Sequence, residues 1–65
     1  MNAPAEIKLT EKQEQELRLA KTRLPYRIAY AAINPENGEF FVSAVYDMRQ
    51  PNKYAKKGWA VFILK

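Results

Sequence analysis

The sequence predicts a small α+β domain in which one N-terminal helix packs on a three-stranded antiparallel β-meander, in the order α-β-β-β. Three observations predict it: a segment of good helix formers that ends at a proline, two runs of β-branched and aromatic residues on either side of a turn, and a third apolar run that follows a glycine. With 65 residues, the chain is close to the smallest size at which a domain without cross-links folds alone. We therefore expect one domain over residues 1–65.

The helix is predicted at about 11–23, after a lead-in at 1–9. Thr10 is a suitable N-cap, and Gln13, three positions later, completes a capping box. Acidic residues fill the first turn and basic residues the last, as the helix dipole favours. Pro25 ends the helix, because a proline disfavours the helical conformation of the residue before it. The apolar stripe is narrow and covers only one face of a small sheet: Leu17, Ala20 and Leu24.

The next two elements are strands at 26–34 and 39–48, joined as a β-hairpin. Pro35 sets the φ angle of a type I turn, and Gly38 supplies the left-handed residue that closes it. In a four-residue loop, Asn34 then faces Glu39. This register pairs six residues of each strand across the hairpin: Ile33 with Phe40, Ala32 with Phe41, Ala31 with Val42, Tyr30 with Ser43, Ala29 with Ala44, and Ile28 with Val45.

Both faces of this hairpin are substantially apolar, and so is the third strand, predicted at 59–64. A continuous apolar run is typical of a strand that is buried on both sides. One narrow helix cannot bury both faces, so we expect the other face to be a protein interface and the chain to be a homodimer. The alternative is that Ile7, Leu9 and the long connection fold over it. The expected interface residues are Tyr26, Tyr30, Phe41, Val45 and Phe62.

The net charge of +4 is distributed unevenly. Residues 1–39 contain six basic and six acidic side chains, whereas residues 40–65 contain five basic side chains against Asp47 alone. Most of the surplus lies in a predicted loop at 49–58, where lysines and an aromatic ring could hold nucleic acid or an acidic protein surface. Arg27 and Lys65 extend this positive zone. The alternative is that these lysines serve solubility and guard a sheet edge. The expected binding residues are Arg49, Lys53, Tyr54, Lys56 and Lys57.

Composition argues against most chemistry. The chain has no cysteine and no histidine, which excludes disulfides, thiolate metal sites and the commonest general base. Ser43 is the single serine, and Glu36 and Glu39 flank a turn without an apolar pocket. We therefore expect no catalytic residue, no metal, no cofactor and no small-molecule substrate. Neither a membrane-spanning run nor a signal peptide is evident, so a cytoplasmic location is expected.

Two hypotheses of function follow. The first is a small non-enzymatic binding protein that holds nucleic acid through the basic loop. The second is a protein-binding inhibitor or regulator of the kind encoded by phages, plasmids and other mobile elements, which docks through its sheet face or edge. A distant third is a metal-independent ribonuclease, since a helix followed by a basic sheet resembles the mRNA-cleaving bacterial toxins in architecture, although no motif supports it.

Overall fold

A computed structural model describes residues 7–64. The chain forms an α+β fold: one helix, three antiparallel strands in one sheet, and a short second helix between the last two strands. In chain order the elements are α1 (Glu11–Arg23), β1 (Ile28–Ile33), β2 (Phe40–Val45), α2 (Arg49–Lys56) and β3 (Ala60–Leu64). This confirms the predicted class. The start of the lead-in and Lys65 lie outside the described residues.

Helix α1 has the bounds and the cap that the sequence predicts. The backbone N–H of Gln13 donates to Thr10 Oγ1 at 3.1 Å, and the backbone N–H of Thr10 donates to Gln13 Oε1 at 2.9 Å. At the other end, Lys21 Nζ donates to the carbonyls of Pro25 at 3.0 Å and Arg27 at 2.8 Å. The lysine therefore ties the end of the helix to the segment that leads into β1.

The hairpin also has the predicted register, with Ile33 opposite Phe40 and Ile28 opposite Val45. In its loop, the N–H of Asn34 donates to the Glu39 carbonyl at 2.8 Å, and Gly38 has a φ of 77°. The strands are shorter than predicted. Strand β1 is Ile28–Ile33 instead of 26–34, and β2 is Phe40–Val45 instead of 39–48. Strand β3 begins at Ala60 instead of residue 59.

The expectation of a meander is wrong, because the strand order is β2-β1-β3. Strand β3 pairs with the free side of β1, from Ala29 opposite Leu64 to Ile33 opposite Ala60. Strands β2 and β3 are both antiparallel to β1 and so run parallel to each other. The sequence of β1 suits the central position: it is uncharged, and all of its residues from Ala29 to Ile33 are buried.

The expectation of a loop at 49–58 is also wrong, because Arg49–Lys56 is helical. Pro51 lies in the first turn, where a missing N–H costs nothing. Gly58, with a φ of 94°, ends the helix in a Schellman motif. Its N–H donates to the Ala55 carbonyl at 3.1 Å, and the N–H of Trp59 donates to the Tyr54 carbonyl at 3.1 Å.

The two helices cover opposite faces of the sheet. Leu17 of α1, which is 3% exposed, packs with Ala29 and Ala31 on one face. On the other face, Tyr30 is 0% exposed, and its hydroxyl donates to Gln50 Oε1 of α2 at 2.8 Å. The expectation that one face of the sheet has no helix on it is therefore wrong, because α2 covers that face. The core on the α1 side is completed by Leu9, Ala20, Phe40, Val42, Phe62 and Leu64.

Candidate functional site

The basic side chains of α2 project from one side of the helix. Positions 49, 53 and 56 lie on the same face at helical spacing, and Lys57 follows at the C-cap. The opposite side packs on the sheet through buried Pro51 and half-buried Tyr54. The sequence therefore builds an amphipathic helix whose outer face carries positive charge. The exposed members of this basic face are Arg49, Lys53, Lys56 and Lys57.

Little negative charge offsets the basic face. Helix α2 contains no acidic residue, and Asp47 just before it is the one carboxylate in residues 40–65. Asp47 Oδ2 lies 3.5 Å from Arg49 Nε, with both side chains exposed, so the pair is worth little in water. Within residues 7–64, no ion pair involves the three lysines of the basic face. No carboxylate of residues 7–64 neutralises their charge.

An aromatic cluster holds α2 in place. The ring of Tyr54 lies 5.1 Å from that of Phe41 and 5.0 Å from that of Trp59, centroid to centroid, and Phe41 also meets Tyr30 at 5.8 Å. A helix of eight residues is too short to be stable in isolation, so these contacts are needed to form it. Tyr54, expected at the sequence level to stack on a base, is half-buried in this cluster, with Lys57 Nζ 5.4 Å above its ring.

The residues expected to form a protein interface do not share one surface. Tyr30 and Phe41 belong to the aromatic cluster, whereas Phe62 packs on the α1 side of the sheet. Val45 is half-buried at the end of β2, and only Tyr26 is largely exposed, at 66%. Burial of the Tyr30 hydroxyl, with a smaller contribution from Tyr54, raises its pKa.

A second group, which the sequence reasoning did not bring together, consists of exposed Tyr26 and Tyr46 and half-buried Arg27; we call it the tyrosine–arginine cluster. The two rings lie 6.3 Å apart, and Tyr46 is 70% exposed. The Arg27 guanidinium carbon lies 4.4 Å from the Tyr46 ring centroid and 5.5 Å from that of Tyr26. Arg27 Nη2 donates to the Tyr46 hydroxyl at 2.9 Å, and this bond raises the pKa of Arg27.

This cluster forms because the hairpin register continues past the strand ends. Ile28 pairs with Val45, so the next residues outward, Arg27 and Tyr46, are neighbours. Extending the predicted register by one pair would therefore have placed Arg27 beside Tyr46. Tyr46 also precedes α2 by only three residues, which places its Cα within about 11 Å of the Arg49 Cα. In this register the side chains of Arg27 and Tyr46 have the parity of Ala29 and Ala44, which places them toward the α1 side of the sheet, near the end of the sheet where the chain enters α2.

The rest of the surface of residues 7–64 offers no cavity, and these residues bring together no group of carboxylates suited to a metal ion. Neither α1 nor α2 is long and apolar enough to cross a membrane. Comparison with protein-family models, with curated proteins and with solved structures found no match for this chain.

Proposed function

We propose that this protein is a small non-enzymatic module that binds nucleic acid through the basic face of α2. The observation that carries the proposal is the set of four exposed cations on one side of a helix without a carboxylate. Such a face attracts the phosphate backbone and releases counterions, which is the main source of sequence-independent affinity. A cytoplasmic location belongs to the same proposal, because nucleic acid is accessible there.

The spacing of the basic face supports contacts with successive phosphates. Arg49 and Lys56 are seven residues apart, so their Cα atoms are separated by about 10 Å along the helix axis. Phosphates on one strand of a duplex follow at about 3.4 Å along its axis, so the face can reach several of them. Lysine acts as a point charge and does not offer the bidentate geometry that identifies a base. We therefore propose binding without sequence preference.

Titration of fluorescently labelled oligonucleotides at several salt concentrations tests this proposal. Four phosphate contacts predict that the logarithm of the binding constant falls against the logarithm of salt with a slope of about −3 to −4. Replacing Lys53, Lys56 and Lys57 by glutamine should reduce the slope by about 3 and weaken binding at least tenfold at low salt. Labelled RNA incubated with the protein tests the non-enzymatic part of the proposal: we expect it to be recovered at full length.

A matched variant separates the basic face from net charge. Replacing Lys8, Lys12 and Arg23 by glutamine removes the same three charges from exposed positions in and before α1. We expect this control to keep most of the affinity. Equal losses in both variants, or no binding by the wild type at low salt, would contradict the proposal.

The second candidate function, a protein-binding inhibitor or regulator of the mobile-element type, is favoured by the edge of the sheet. Strand β2 lies at one edge, and its six residues include no charge, proline or glycine. Native edge strands usually carry such residues to prevent pairing with another chain. An extended segment of a partner protein could therefore add to β2 as a further strand.

The homodimer, expected from the sequence through the second sheet face, is proposed here through this edge instead, because α2 covers that face and β2 of a second copy could occupy the edge. Sedimentation equilibrium at micromolar concentration distinguishes a monomer from a dimer. Replacing Ser43 in β2 by lysine should dissociate a dimer joined at this edge, whereas the same charge at Asn37 in the hairpin turn should leave it intact. A wild-type monomer would contradict the dimer.

A further inference from the structure

The tyrosine–arginine cluster presents the two most exposed aromatic rings in residues 7–64. Tyr26 is 66% and Tyr46 is 70% exposed, whereas Tyr30, Phe41, Tyr54 and Trp59 contact one another in the aromatic cluster. The sheet therefore does not need these two tyrosines for its core. Large exposed apolar groups that lie together are typical of a binding surface.

The two rings are held in position by Arg27. Its Nη2 donates to the Tyr46 hydroxyl at 2.9 Å, and its guanidinium carbon lies within 5.5 Å of both ring centroids. The Nε atom of Arg27 is buried and has no hydrogen-bond partner among the described residues. Because the arginine occupies one side of each tyrosine, most of the remaining ring surface faces solvent. Such an arrangement loses little side-chain freedom when a flat ligand binds.

We propose that the tyrosine–arginine cluster is a base-stacking platform, and that the nucleic acid held by this protein is single-stranded. The inference rests on the proposed function of the basic face. Unpaired bases would stack on Tyr26 and Tyr46, and the guanidinium of Arg27 would meet the adjoining phosphate. In a duplex the faces of the bases are already stacked on each other, and only their edges are accessible in the grooves. The platform therefore selects unpaired bases.

The position of the platform suits a strand that also follows α2. Tyr46 and Arg49 are three positions apart, so their Cα atoms lie within about 11 Å of each other, although the platform lies toward the α1 side of the sheet and α2 covers the other side. In this proposal the strand passes around the end of the sheet, with its bases stacked on the platform and its phosphates in contact with the basic face. This combination is the usual means by which proteins bind single strands without sequence preference.

The test compares a single-stranded thymidine 12-mer with a duplex of the same length, using the wild type and two double variants. Replacing Tyr26 and Tyr46 by alanine should weaken binding to the single strand by roughly 5- to 150-fold for each base stacked. Replacing both by phenylalanine keeps the rings and should retain most of this affinity. Duplex binding and the salt slope should be the same in all three proteins, because the basic face is unchanged.

An abasic 12-mer gives an independent measurement, because it keeps every phosphate and lacks the bases. The wild type should bind it as weakly as the alanine variant binds the ordinary strand, and the alanine variant should not distinguish the two strands. The platform proposal is contradicted, and the basic-face proposal is not, if binding depends on salt but the wild type and the alanine variant bind the ordinary strand equally well. A preference for the duplex has the same meaning. Absence of any salt-dependent binding overturns both.

Discussion

The hydrogen bond between Tyr30 and Gln50 is one of the contacts that attach the basic helix to the sheet. The tyrosine is fully buried, and its hydroxyl donates to Gln50 Oε1 at 2.8 Å, whereas the rest of Gln50 is exposed. Replacing Gln50 by alanine leaves a buried hydroxyl without its partner. A buried donor that loses its partner costs about 1–3 kcal/mol of the free energy of unfolding.

The opposite substitution is expected to cost less. Replacing Tyr30 by phenylalanine removes the hydroxyl itself, and the exposed amide of Gln50 can then bond to water. We expect a loss of about 0.5–1.5 kcal/mol. In the phenylalanine background, the change of Gln50 to alanine removes no remaining partner, so its further effect should be within about 0.5 kcal/mol of zero. The two substitutions should therefore be strongly non-additive.

Urea denaturation of the four proteins in this cycle measures the coupling. Trp59, the single tryptophan, lies 5.0 Å from Tyr54 of α2, so its fluorescence reports on the aromatic cluster. A coupling of about 1 kcal/mol or more is expected. If Gln50→Ala has the same effect in both backgrounds, or none in either, water replaces the glutamine at the hydroxyl and the reasoning fails.

Three further predictions concern stability. Leu17→Ala should lower the free energy of unfolding by about 2–4 kcal/mol, because Leu17 is 3% exposed. Leu19→Ala should lower it by less than about 1 kcal/mol, because Leu19 is 50% exposed; equal losses of the two variants in urea denaturation would refute the packing of α1. Gly58→Ala should lower the free energy of unfolding by about 1–2 kcal/mol, because the φ of 94° at Gly58 is left-handed and strains any residue with a Cβ. No atom lies within 4 Å of the added methyl, so the loss would come from backbone strain alone, and an unchanged urea midpoint would refute it. Burial raises the pKa of Tyr30 in the folded protein, so the neutral phenol stabilises the fold fully below the unfolded pKa near 10, and this contribution is lost as pH rises through the folded pKa. The wild type should therefore lose more stability above pH 10 than Tyr30→Phe, and parallel pH profiles of the two proteins would contradict this.

Elements specified by neighbouring residues could be predicted from the sequence. The cap of α1 depends on Thr10 and Gln13, which are three positions apart, and the register of the hairpin depends on the turn at Pro35 and Gly38. In both cases the residues that determine the structure lie within a few positions of each other. Both elements have the predicted arrangement.

Helix α2 was missed because its boundary residues were interpreted as loop formers. Pro51 and Gly58 are common in loops, yet proline in the first turn and glycine just past the last are also the typical boundaries of a helix. The helix has only eight residues, so the helical spacing of Pro51 and Tyr54 against the lysines is too short to identify a helix from the sequence. Basic charge at 49–57 was predicted, but its arrangement on one face was not.

The strand order could not be predicted from local signals. Residues 59–64 are apolar on both sides and suit either neighbour, and the choice depends on α2 crossing the sheet. The tyrosine–arginine cluster, by contrast, follows from the predicted hairpin register extended by one pair, although Tyr46 is 20 residues from Tyr26 and 19 from Arg27 in the sequence. Only the register beyond Ile28 and Val45 brings them together.

The order β2-β1-β3 has a consequence for how the molecule assembles. The hairpin joins residues 7 apart at its turn (Ile33 and Phe40), whereas β3 joins residues at least 27 apart (Ile33 and Ala60). Contacts of short separation close first, because their loops cost less entropy. We therefore expect β1 to keep one open edge until α2 and β3 dock. The helix that carries the basic face belongs to this later unit, so we expect the face to form only when the sheet is complete.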